Sequence, residues 1–294
     1  MLTLASANLW DLYDPDRPAP ERWRQVEDML AELDPDVLVV QELIARGPDK
    51  RSGAADAAAV LAGALGMESA VDGVPAVAVG GGIHHVAILW RRTLSPVPGS
   101  VARYERDPAG LWHALVTVEF DLGGSRLRVG SVHLSPFDGI SRAQDVRQVH
   151  RAICRDGTSA LVGGDWNCLG GDETYDRDPY AAALADGWTW DPDWAYQYAA
   201  DGSLDRAAAQ WFEGPGGMRD CARLAGVAWE PTTGHVAEPH PPRRIDRWYA
   251  TPSMPEAAIV DVQVAAAEHV GTASDHRPVI VTVNPYHLAT REQQ

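Results

Sequence analysis

The sequence has almost no lysine. Of its 25 basic residues, 24 are arginine and one is Lys50, whereas 41 aspartates and glutamates bring the formal net charge to −16. Proteins that hold nucleic acid over a broad surface need many cationic side chains to neutralise phosphates. The charge balance therefore argues against a broad nucleic-acid surface, although a bound divalent cation would reverse the sign inside a local cleft.

Cysteine and long apolar runs are also scarce. The three cysteines, Cys154, Cys168 and Cys221, are widely spaced and contain no Cys-x-x-Cys pair, so neither a disulfide framework nor a thiolate zinc site is indicated. No apolar run approaches membrane-spanning length, and the first residues resemble a strand and not a signal peptide. We therefore expect a cytoplasmic protein without a transmembrane segment.

Strand and helix patterns alternate along the whole chain, which predicts an α/β fold. Strands are predicted at residues 2–9, 37–40, 74–79, 86–90, 115–120, 127–132, 159–162, 243–249, 258–264 and 278–283. Helices are predicted from Pro20, over 54–65 with Gly66 as its C-cap, and from a Ser141 cap with Val146, Val149 and Ile153 on the buried face. No linker divides the chain, so we expect one domain over 1–285 and a tail over 286–294, and the similar halves suggest an internal duplication.

Two glycine- or tryptophan-rich stretches have less regular patterns. No lysine-bearing helix follows Gly80-Gly81-Gly82, so this loop is interpreted as a flexible hairpin connection and not as a phosphate cradle. Residues 169–230 form an insertion rich in Asp, Trp and Gly. We predict that most of its indoles pack in a minor core, although some could stack on a base or sugar; they are Trp188, Trp190, Trp194 and Trp211.

Polar residues recur at the ends of predicted strands. The central example is Val162-Gly163-Gly164-Asp165-Trp166-Asn167, in which an acid and an amide follow a buried strand. Ligands in layered α/β proteins bind outside the carboxyl ends of strands. Each position alone has an ordinary structural explanation, but together they indicate one site; they are Asn8, Glu42, His133, Asp165 with Asn167, Asp246, and Asp275 with His276.

The donor set suits a hard cation. Carboxylate and amide oxygens select Mg²⁺, Mn²⁺ or Ca²⁺ over zinc, and a Mg²⁺ site with few protein ligands leaves room for water and substrate phosphate. The histidines are then available for proton transfer or phosphate binding. This points to hydrolysis of a phosphate ester. A serine hydrolase is excluded because the consecutive Ser274-Asp275-His276 cannot form a triad and no Gly-x-Ser-x-Gly elbow is present.

The set of motifs resembles the endonuclease/exonuclease/phosphatase superfamily over nearly the whole chain. The matching segments are Asn8-Leu9-Trp10, Val40-Gln41-Glu42, 86–89, Ser131–Pro136, Gly164–Asn167, Arg244-Ile245-Asp246 and Ser274–Val279. Each motif is weak alone, but their order and spacing are specific. The His133-Leu134-Ser135-Pro136 segment is similar to the deoxyribonuclease, sphingomyelinase and inositol-phosphatase branches, and differs from the tyrosine-bearing strand of abasic-site endonucleases.

The resemblance implies a fold and a set of roles. The fold would be a four-layer α/β/β/α sandwich, with two mixed sheets packed face to face and helices outside. Glu42 would hold Mg²⁺ or Mn²⁺, helped by Asn8 and Asp275. His276, oriented by Asp246, would be the general base or the group that polarises the phosphate. The remaining roles are activation of the attacking water by Asp165 and contact with the scissile phosphate by Asn167 and His133.

These expectations define a divalent-metal-dependent phosphoesterase, foremost a phosphodiesterase or nuclease-type hydrolase. The alternatives are a phosphomonoesterase acting on a small metabolite, which the acidic composition favours over a nuclease, and an inactive binding module. The substrate is expected to be a phosphate ester, with nucleic acid and small molecules both open. No obligate protein partner is expected.

Overall fold

The computed structural model describes residues 1–106 and 110–288, and most of this part of the chain belongs to two sheets. Its strands, β1 to β16 in chain order, are Leu2–Leu12, Val37–Ile44, Met67–Glu68, Ala70–Val71, Val74–Pro75, Val77–Val79, His84–Arg91, Ser95–Pro96, Ala102–Tyr104, Ala114–Asp121, Arg126–His133, Ala160–Asp165, Arg219–Asp220, Asp246–Ala250, Ile259–Val264 and Val279–Val283. The described helices, α1 to α7, are Pro20–Leu33, Lys50–Leu65, Gly139–Ile153, Pro179–Ala185, Ala207–Glu213, Cys221–Leu224 and Ala267–Val270. Short 3₁₀ turns cover Pro192–Gln197, Glu256–Ala258 and Pro285–His287.

Each of the two large sheets has seven strands and mixes parallel with antiparallel pairs. The first has the order β15-β16-β1-β2-β7-β3, with β6 also paired to β7. The second has the order β13-β14-β12-β11-β10-β8, with β9 also paired to β10. The parallel pairs are β1 with β2 and β11 with β12. A third, two-stranded sheet pairs β4 with β5.

The sheets pack face to face because apolar side chains alternate along their strands. Leu4, Val37 and Val39 of the first sheet share a buried cluster with Val116 and Val129 of the second. Their neighbours in sequence point to the opposite faces, as the two-residue period of a strand requires. The predicted sandwich of two sheets is confirmed.

Helices cover both outer faces and complete the four layers. Val26, Met29 and Leu30 of α1 and Leu61 of α2 pack in the cluster outside the first sheet. The cluster outside the second sheet contains side chains of α3 and α5; they are Val146, Val149, Ala152, Ile153, Ala208, Ala209 and Phe212. The predicted buried face of α3 is therefore confirmed.

Several local predictions differ from the structure. The strand predicted at 74–79 is divided into β5, which pairs with β4, and β6, which pairs with β7. Asp138, and not Ser141, caps α3, because the Asp138 carboxylate accepts the Ser141 N–H at 2.7 Å. The strand predicted at 243–249 begins only at Asp246, because its pairing with β12 ends at Asp165 and the Arg243 carbonyl accepts from the Thr232 and Thr233 N–H groups instead. Leu288 packs in the core between the sheets, whereas residues 289–294 of the predicted tail lie outside the described residues.

The insertion contains a small core of its own, but its indoles do not share one environment. Trp194 is fully buried against Tyr180, with ring centroids 5.1 Å apart, as predicted for a minor core. Trp190 packs on Trp194, with ring centroids 5.5 Å apart, although it is 49% exposed, whereas Trp188 is 45% exposed. Within the described ranges, no helix has the length and apolar character needed to cross a membrane.

Candidate active site

All eight predicted site residues lie at one edge of the sandwich. The carboxyl ends of the parallel strands β1 and β2 meet there, as do those of β11 and β12. Because β16 is antiparallel to β1 and β14 to β12, the amino ends of β14 and β16 reach the same edge. The chain positions that are far apart in sequence are thereby brought together; they are Asn8, Glu42, His133, Asp165, Asn167, Asp246, Asp275 and His276.

Three of these residues form a row across the second sheet. His133 is the register partner of Asp165, which is in turn the register partner of Asp246. All three side chains are buried and face the first sheet, and His133 Nε2 lies 3.5 Å from Asp165 Oδ2. Burial raises the pKa of Asp165, but the hydrogen bond from His133 and the charge of His276 together hold that pKa below its ordinary range. Asp165 is therefore a carboxylate.

Glu42 reaches the site because β2 is irregular. The alternation of β2 places Gln41 between the sheets, where its Nε2 donates to Ser131 Oγ at 3.1 Å. Glu42 would point away from the second sheet in a regular strand, but the register shifts between Val40 and Leu43 and Glu42 adopts a φ of 62°. A left-handed φ is unfavourable for such a residue and is a recurrent feature of functional sites. The bulge therefore turns Glu42 towards the site.

Asn8 joins the two sheets. Its Nδ2 lies 3.1 Å from Glu42 Oε1 and 3.1 Å from Asp165 Oδ2, so one amide donates to two carboxylates. Its Oδ1 accepts the Trp10 N–H at 3.1 Å. In this structure the amide nitrogen of Asn8, and not its oxygen, faces the carboxylates.

His276 is held by one contact of its ring and one of its backbone. Its Nδ1 lies 2.8 Å from Asp246 Oδ2, and its backbone N–H donates to Ser274 Oγ at 3.1 Å. Ser274 Oγ in turn donates to the carbonyl oxygen of Asn8 at 2.8 Å. Burial lowers the pKa of His276, but the Asp246 carboxylate outweighs it and raises that pKa well above its ordinary value. The histidine is therefore cationic at neutral pH.

Asn167 adopts a φ of 50° immediately after Trp166. Its backbone N–H donates to Asp165 Oδ1 at 2.8 Å, and its Nδ2 donates to the Leu134 carbonyl at 3.0 Å. Gln197 of the insertion donates from Nε2 to the Asn167 carbonyl at 2.8 Å. The insertion thus supports the turn that carries Asn167.

The arrangement fits a divalent cation. Ligand atoms of Glu42, His133 and Asp165 lie within 4.8 Å of one another, as do those of Asp165, Asp246 and His276. The buried Asp275 Oδ1 has no hydrogen-bond partner within the described part of the chain, and burial raises the pKa of Asp275 to about 6. Carboxylates grouped in this way supply the oxygen donors that Mg²⁺ and Mn²⁺ prefer, and Asp275, which belongs to neither group, adds an unpartnered oxygen.

Three further polar residues, which the sequence analysis did not identify, line or adjoin the site. His84 Nε2 lies 2.8 Å from Asp11 Oδ1, and these two side chains form a third possible ligand group with Glu42. His113 stacks in parallel on His133, with ring centroids 4.0 Å apart. Burial, followed by the charge of His133, lowers the pKa of His113, which is therefore neutral. No periodic pattern in the sequence marks His84 or His113.

Five of the eight predicted site residues line a cavity of about 490 Å³, whereas Asn8, Asp246 and Asp275 do not. The cavity is lined by both predicted and unpredicted residues, which are Glu42, Gly82, Ile83, His84, Trp112, His113, His133, Pro136, Phe137, Asp165, Asn167 and His276. A larger cavity of about 850 Å³ lies in the insertion, beside Trp188 and Trp229, and contains none of the predicted site residues.

Solved structures share the fold. A humanized D. rerio TDP2 with 14 mutations is 17% identical, with a TM-score of 0.61 over 96% of this chain and 98% of that one. The endonuclease/exonuclease/phosphatase from Beutenbergia cavernae is 22% identical, with a TM-score of 0.57 over 95% of this chain and 70% of that one. A family protein from Leptotrichia buccalis is 13% identical, with a TM-score of 0.59 over 97% and 100%. No curated protein matches the sequence significantly.

The sequence profile of the Endonuclease/Exonuclease/phosphatase family matches residues 5–276, which span every predicted site residue from Asn8 to His276. Members of this family generally hydrolyse phosphoester bonds, and they include metal-dependent nucleases and phosphatases. The chain belongs to the endonuclease/exonuclease/phosphatase family.

Proposed function

We propose that this protein is a divalent-metal-dependent phosphodiesterase that hydrolyses its substrate by attack of water on phosphorus. The observation that carries this proposal is the meeting of Glu42, Asp165 and the His276–Asp246 pair at one cavity, with Asn8 bridging two of the carboxylates. Carboxylates that can hold a cation and activate water, together with a cationic histidine that can stabilise charge on the phosphate, support phosphoryl transfer to water.

Glu42, Asp275 and Asn8 are the residues that would hold Mg²⁺ or Mn²⁺. Asn8 would have to turn its Oδ1 away from Trp10 to serve as a ligand, whereas Glu42 and Asp275 already present carboxylate oxygens. When bound, the ion would supply Lewis-acid stabilisation of the charge on the phosphate oxygens. Calorimetric titration of Mn²⁺ into the protein and into Glu42→Gln tests this assignment, because the amide lacks the charge that binds the ion.

Asp165 is proposed to orient the attacking water and to accept its proton. Its lowered pKa keeps the carboxylate ionised, and the contact of His133 Nε2 with Oδ2 holds one of its oxygens in place. His133 lines the cavity and is proposed to contact a non-bridging phosphate oxygen.

His276 is proposed to polarise the phosphate, which is one of the two roles expected for it. Since Asp246 raises the pKa of His276, the ring carries a proton on both nitrogens at neutral pH. An imidazolium donates a charge-assisted hydrogen bond to a phosphate oxygen but does not accept the proton of water. Asn167 lines the cavity, and its Nδ2 has a second N–H, besides the one donated to the Leu134 carbonyl, which is proposed to contact a phosphate oxygen. The three free cysteines agree with a reducing cytoplasm as the proposed location.

The proposal is tested by comparing bis-p-nitrophenyl phosphate with p-nitrophenyl phosphate in Mg²⁺ or Mn²⁺, with His276→Ala as the blank. Cleavage of the diester above the blank supports a phosphodiesterase. Exclusive cleavage of the monoester would replace it by the phosphomonoesterase, which the acidic composition favours. Absence of both activities, together with absence of cation binding by calorimetry, would indicate a binding module.

A further inference from the structure

The active-site cavity has two unlike walls. One carries the charged and polar groups; it consists of Glu42, His84, His133, Asp165, Asn167 and His276. The other is apolar and consists of Ile83, Trp112, Pro136 and Phe137. The proposed hydrolysis uses only the polar wall, so the apolar wall is left without a role in the chemistry.

The apolar wall is built around an aromatic pair. The rings of Trp112 and Phe137 meet edge to face, with centroids 4.9 Å apart and planes at 82°. Phe137 nevertheless remains 54% exposed. An exposed aromatic side chain beside a cavity gains free energy if a ligand covers it, because apolar surface is then removed from water.

The loop that carries Phe137 is held in place before any ligand binds. The Ser135 N–H donates to Asp145 Oδ2 at 2.9 Å, and the Asp138 carboxylate caps α3 at 2.7 Å. Trp112 is fixed from the other side, since its carbonyl accepts the Gly81 N–H at 2.7 Å and the Arg106 guanidinium lies 4.4 Å from its ring centroid. A wall that is already ordered loses little conformational entropy on binding.

The charge of the cavity limits what can enter. Among the described lining residues there is no arginine and no lysine, and Arg106 adjoins the cavity only by packing on the ring of Trp112. A polyanion places several phosphates against a protein and needs several cationic side chains there. The cavity therefore matches an ester with one phosphate and an apolar, planar group better than it matches a nucleic-acid strand.

We propose that Trp112 and Phe137 determine specificity by covering a planar, apolar group attached to the phosphate, so that the substrate is a small phosphodiester with an aromatic substituent. This inference rests on the proposed function, because it assigns the scissile phosphate to the polar wall. It places the substituent that stays on phosphorus, and not the leaving group, against Phe137.

The first test compares two diesters with the same leaving group. Bis-p-nitrophenyl phosphate retains an aryl group on phosphorus, whereas methyl p-nitrophenyl phosphate retains a methyl group. We compare their kcat/KM values after dividing by the uncatalysed rates and by the factor of two for equivalent leaving groups. The wild type should prefer the retained aryl group about tenfold, and Phe137→Ala should reduce this preference about three- to tenfold, the range typical of an aromatic contact.

Matched variants distinguish loss of the aromatic contact from a general disturbance of the loop. Ile140 lies three residues after Phe137 and is 75% exposed, but it does not line the cavity. Ile140→Ala should leave the aryl preference and the kcat/KM of the methyl ester unchanged. Trp112→Phe should retain most of the preference, whereas Trp112→Ala should lose it. An unchanged preference in Phe137→Ala would overturn the inference, and so would an equal loss in Ile140→Ala.

Equilibrium binding tests the role of Trp112 and Phe137 without requiring hydrolysis of the ester. Diphenyl phosphate and dimethyl phosphate are titrated into the wild type and Phe137→Ala by calorimetry. If the wild type binds diphenyl phosphate more tightly than dimethyl phosphate and Phe137→Ala does not, the role of the apolar wall is supported. This holds even if neither ester is hydrolysed, and in that case only the proposed function fails. Hydrolysis without any aryl preference in rate or binding overturns this inference and leaves the proposed function intact.

Discussion

His276 Nδ1 lies 2.8 Å from Asp246 Oδ2; Asp246 is buried at the amino end of β14, and His276, which precedes β16, lines the cavity. Asp246 itself is held by its backbone N–H, which donates to Thr232 Oγ1 at 3.2 Å. The pair fixes both the orientation of the imidazole and its protonation state, since the carboxylate raises the pKa of His276. Removal of Asp246 should therefore change both the catalytic activity and the pKa of His276.

Replacement of Asp246 by asparagine is expected to lower kcat at least tenfold, and His276→Ala is expected to lower it by about 10²–10³, the range for loss of a donor that stabilises charge in the transition state. The pKa of His276 should fall in Asp246→Asn, because the anion that stabilises the imidazolium is gone. Titration of the His276 ring by NMR measures this shift. An unchanged pKa with reduced activity would mean that Asp246 acts only as a packing residue.

His85 is expected to make the protein sensitive to acid. Its Nδ1 accepts the Gly80 N–H at 3.1 Å, and its Nε2 lies 3.1 Å from the Ala45 carbonyl, so the folded state holds the neutral ring. Burial lowers the pKa of His85 to about 4. A histidine with a lowered folded pKa loses stability as the pH falls below its unfolded value of about 6.5, and the total loss is about 3 kcal/mol once the pH is below 4.

The measurement is the free energy of unfolding in urea between pH 8 and pH 4, for the wild type and His85→Gln. Glutamine keeps a donor and an acceptor but does not titrate. The advantage of the wild type over the variant should be constant above pH 7 and should shrink as the pH falls. A constant difference across the whole range would contradict the assignment.

Alanine substitutions at the three glycines Gly80, Gly81 and Gly82 are expected to lower the free energy of unfolding by different amounts. A Cβ on Gly80 would lie 2.2 Å from the His84 carbonyl oxygen, and one on Gly81 would lie 2.8 Å from the Trp112 carbonyl oxygen. Both are backbone atoms that cannot move aside freely. Gly82 has nothing within 4 Å of such a Cβ and serves as the matched control. Alanine at 80 or 81 should lower the free energy of unfolding by about 1–3 kcal/mol, and alanine at 82 by much less.

Denaturation in urea distinguishes the three alanine variants. If Gly80→Ala and Gly82→Ala were equally stable, the close packing of the loop on Trp112 and His113 would be wrong. The loop would then be the flexible connection that its sequence predicts.

Arg247 is expected to anchor the insertion. Its side chain is fully buried, and it donates to Asp176 Oδ2 at 2.6 Å and to the Cys168 carbonyl at 2.7 Å. Arg247→Met leaves a buried carboxylate without its main partner, which costs about 3–5 kcal/mol. Arg223→Met is the control, because Arg223 pairs with Asp172 at 41% exposure and such surface pairs contribute about 1 kcal/mol or less. Equal thermal stability of the two variants would refute the anchoring role.

The sequence predicts the layers of this fold well, because strand alternation and helical spacing are local patterns. Strand-end residues such as Glu42 and Asp165 could be identified for the same reason: the carboxyl ends of strands are marked in the sequence. The bulge that redirects Glu42 could not be predicted, since alternation alone directs Gln41 towards the second sheet. A φ of 62° at a glutamate has no local sequence marker.

Residues brought in by tertiary packing were also missed. His113 precedes β10 and enters the site only because that strand pairs with β11 and places its ring on His133. The aromatic wall depends on the contact of Trp112 with Phe137, which belong to different loops. Composition also does not show how closely another backbone segment approaches the glycine loop, so its predicted flexibility depends on the test with the alanine variants.

The arrangement of strands also sets the order in which the site can be completed during synthesis. Asn8, Glu42, His133 and Asp165 are made early, but Asp246 and His276 follow the long insertion. β16 then pairs with β1, joining Leu2 to Val283 across the sheet. A nascent chain that has been synthesised only as far as Asp165 contains the carboxylates of Glu42 and Asp165 but not His276. Such a ribosome-bound intermediate is expected to be catalytically inactive until β16 has left the ribosome and paired with β1.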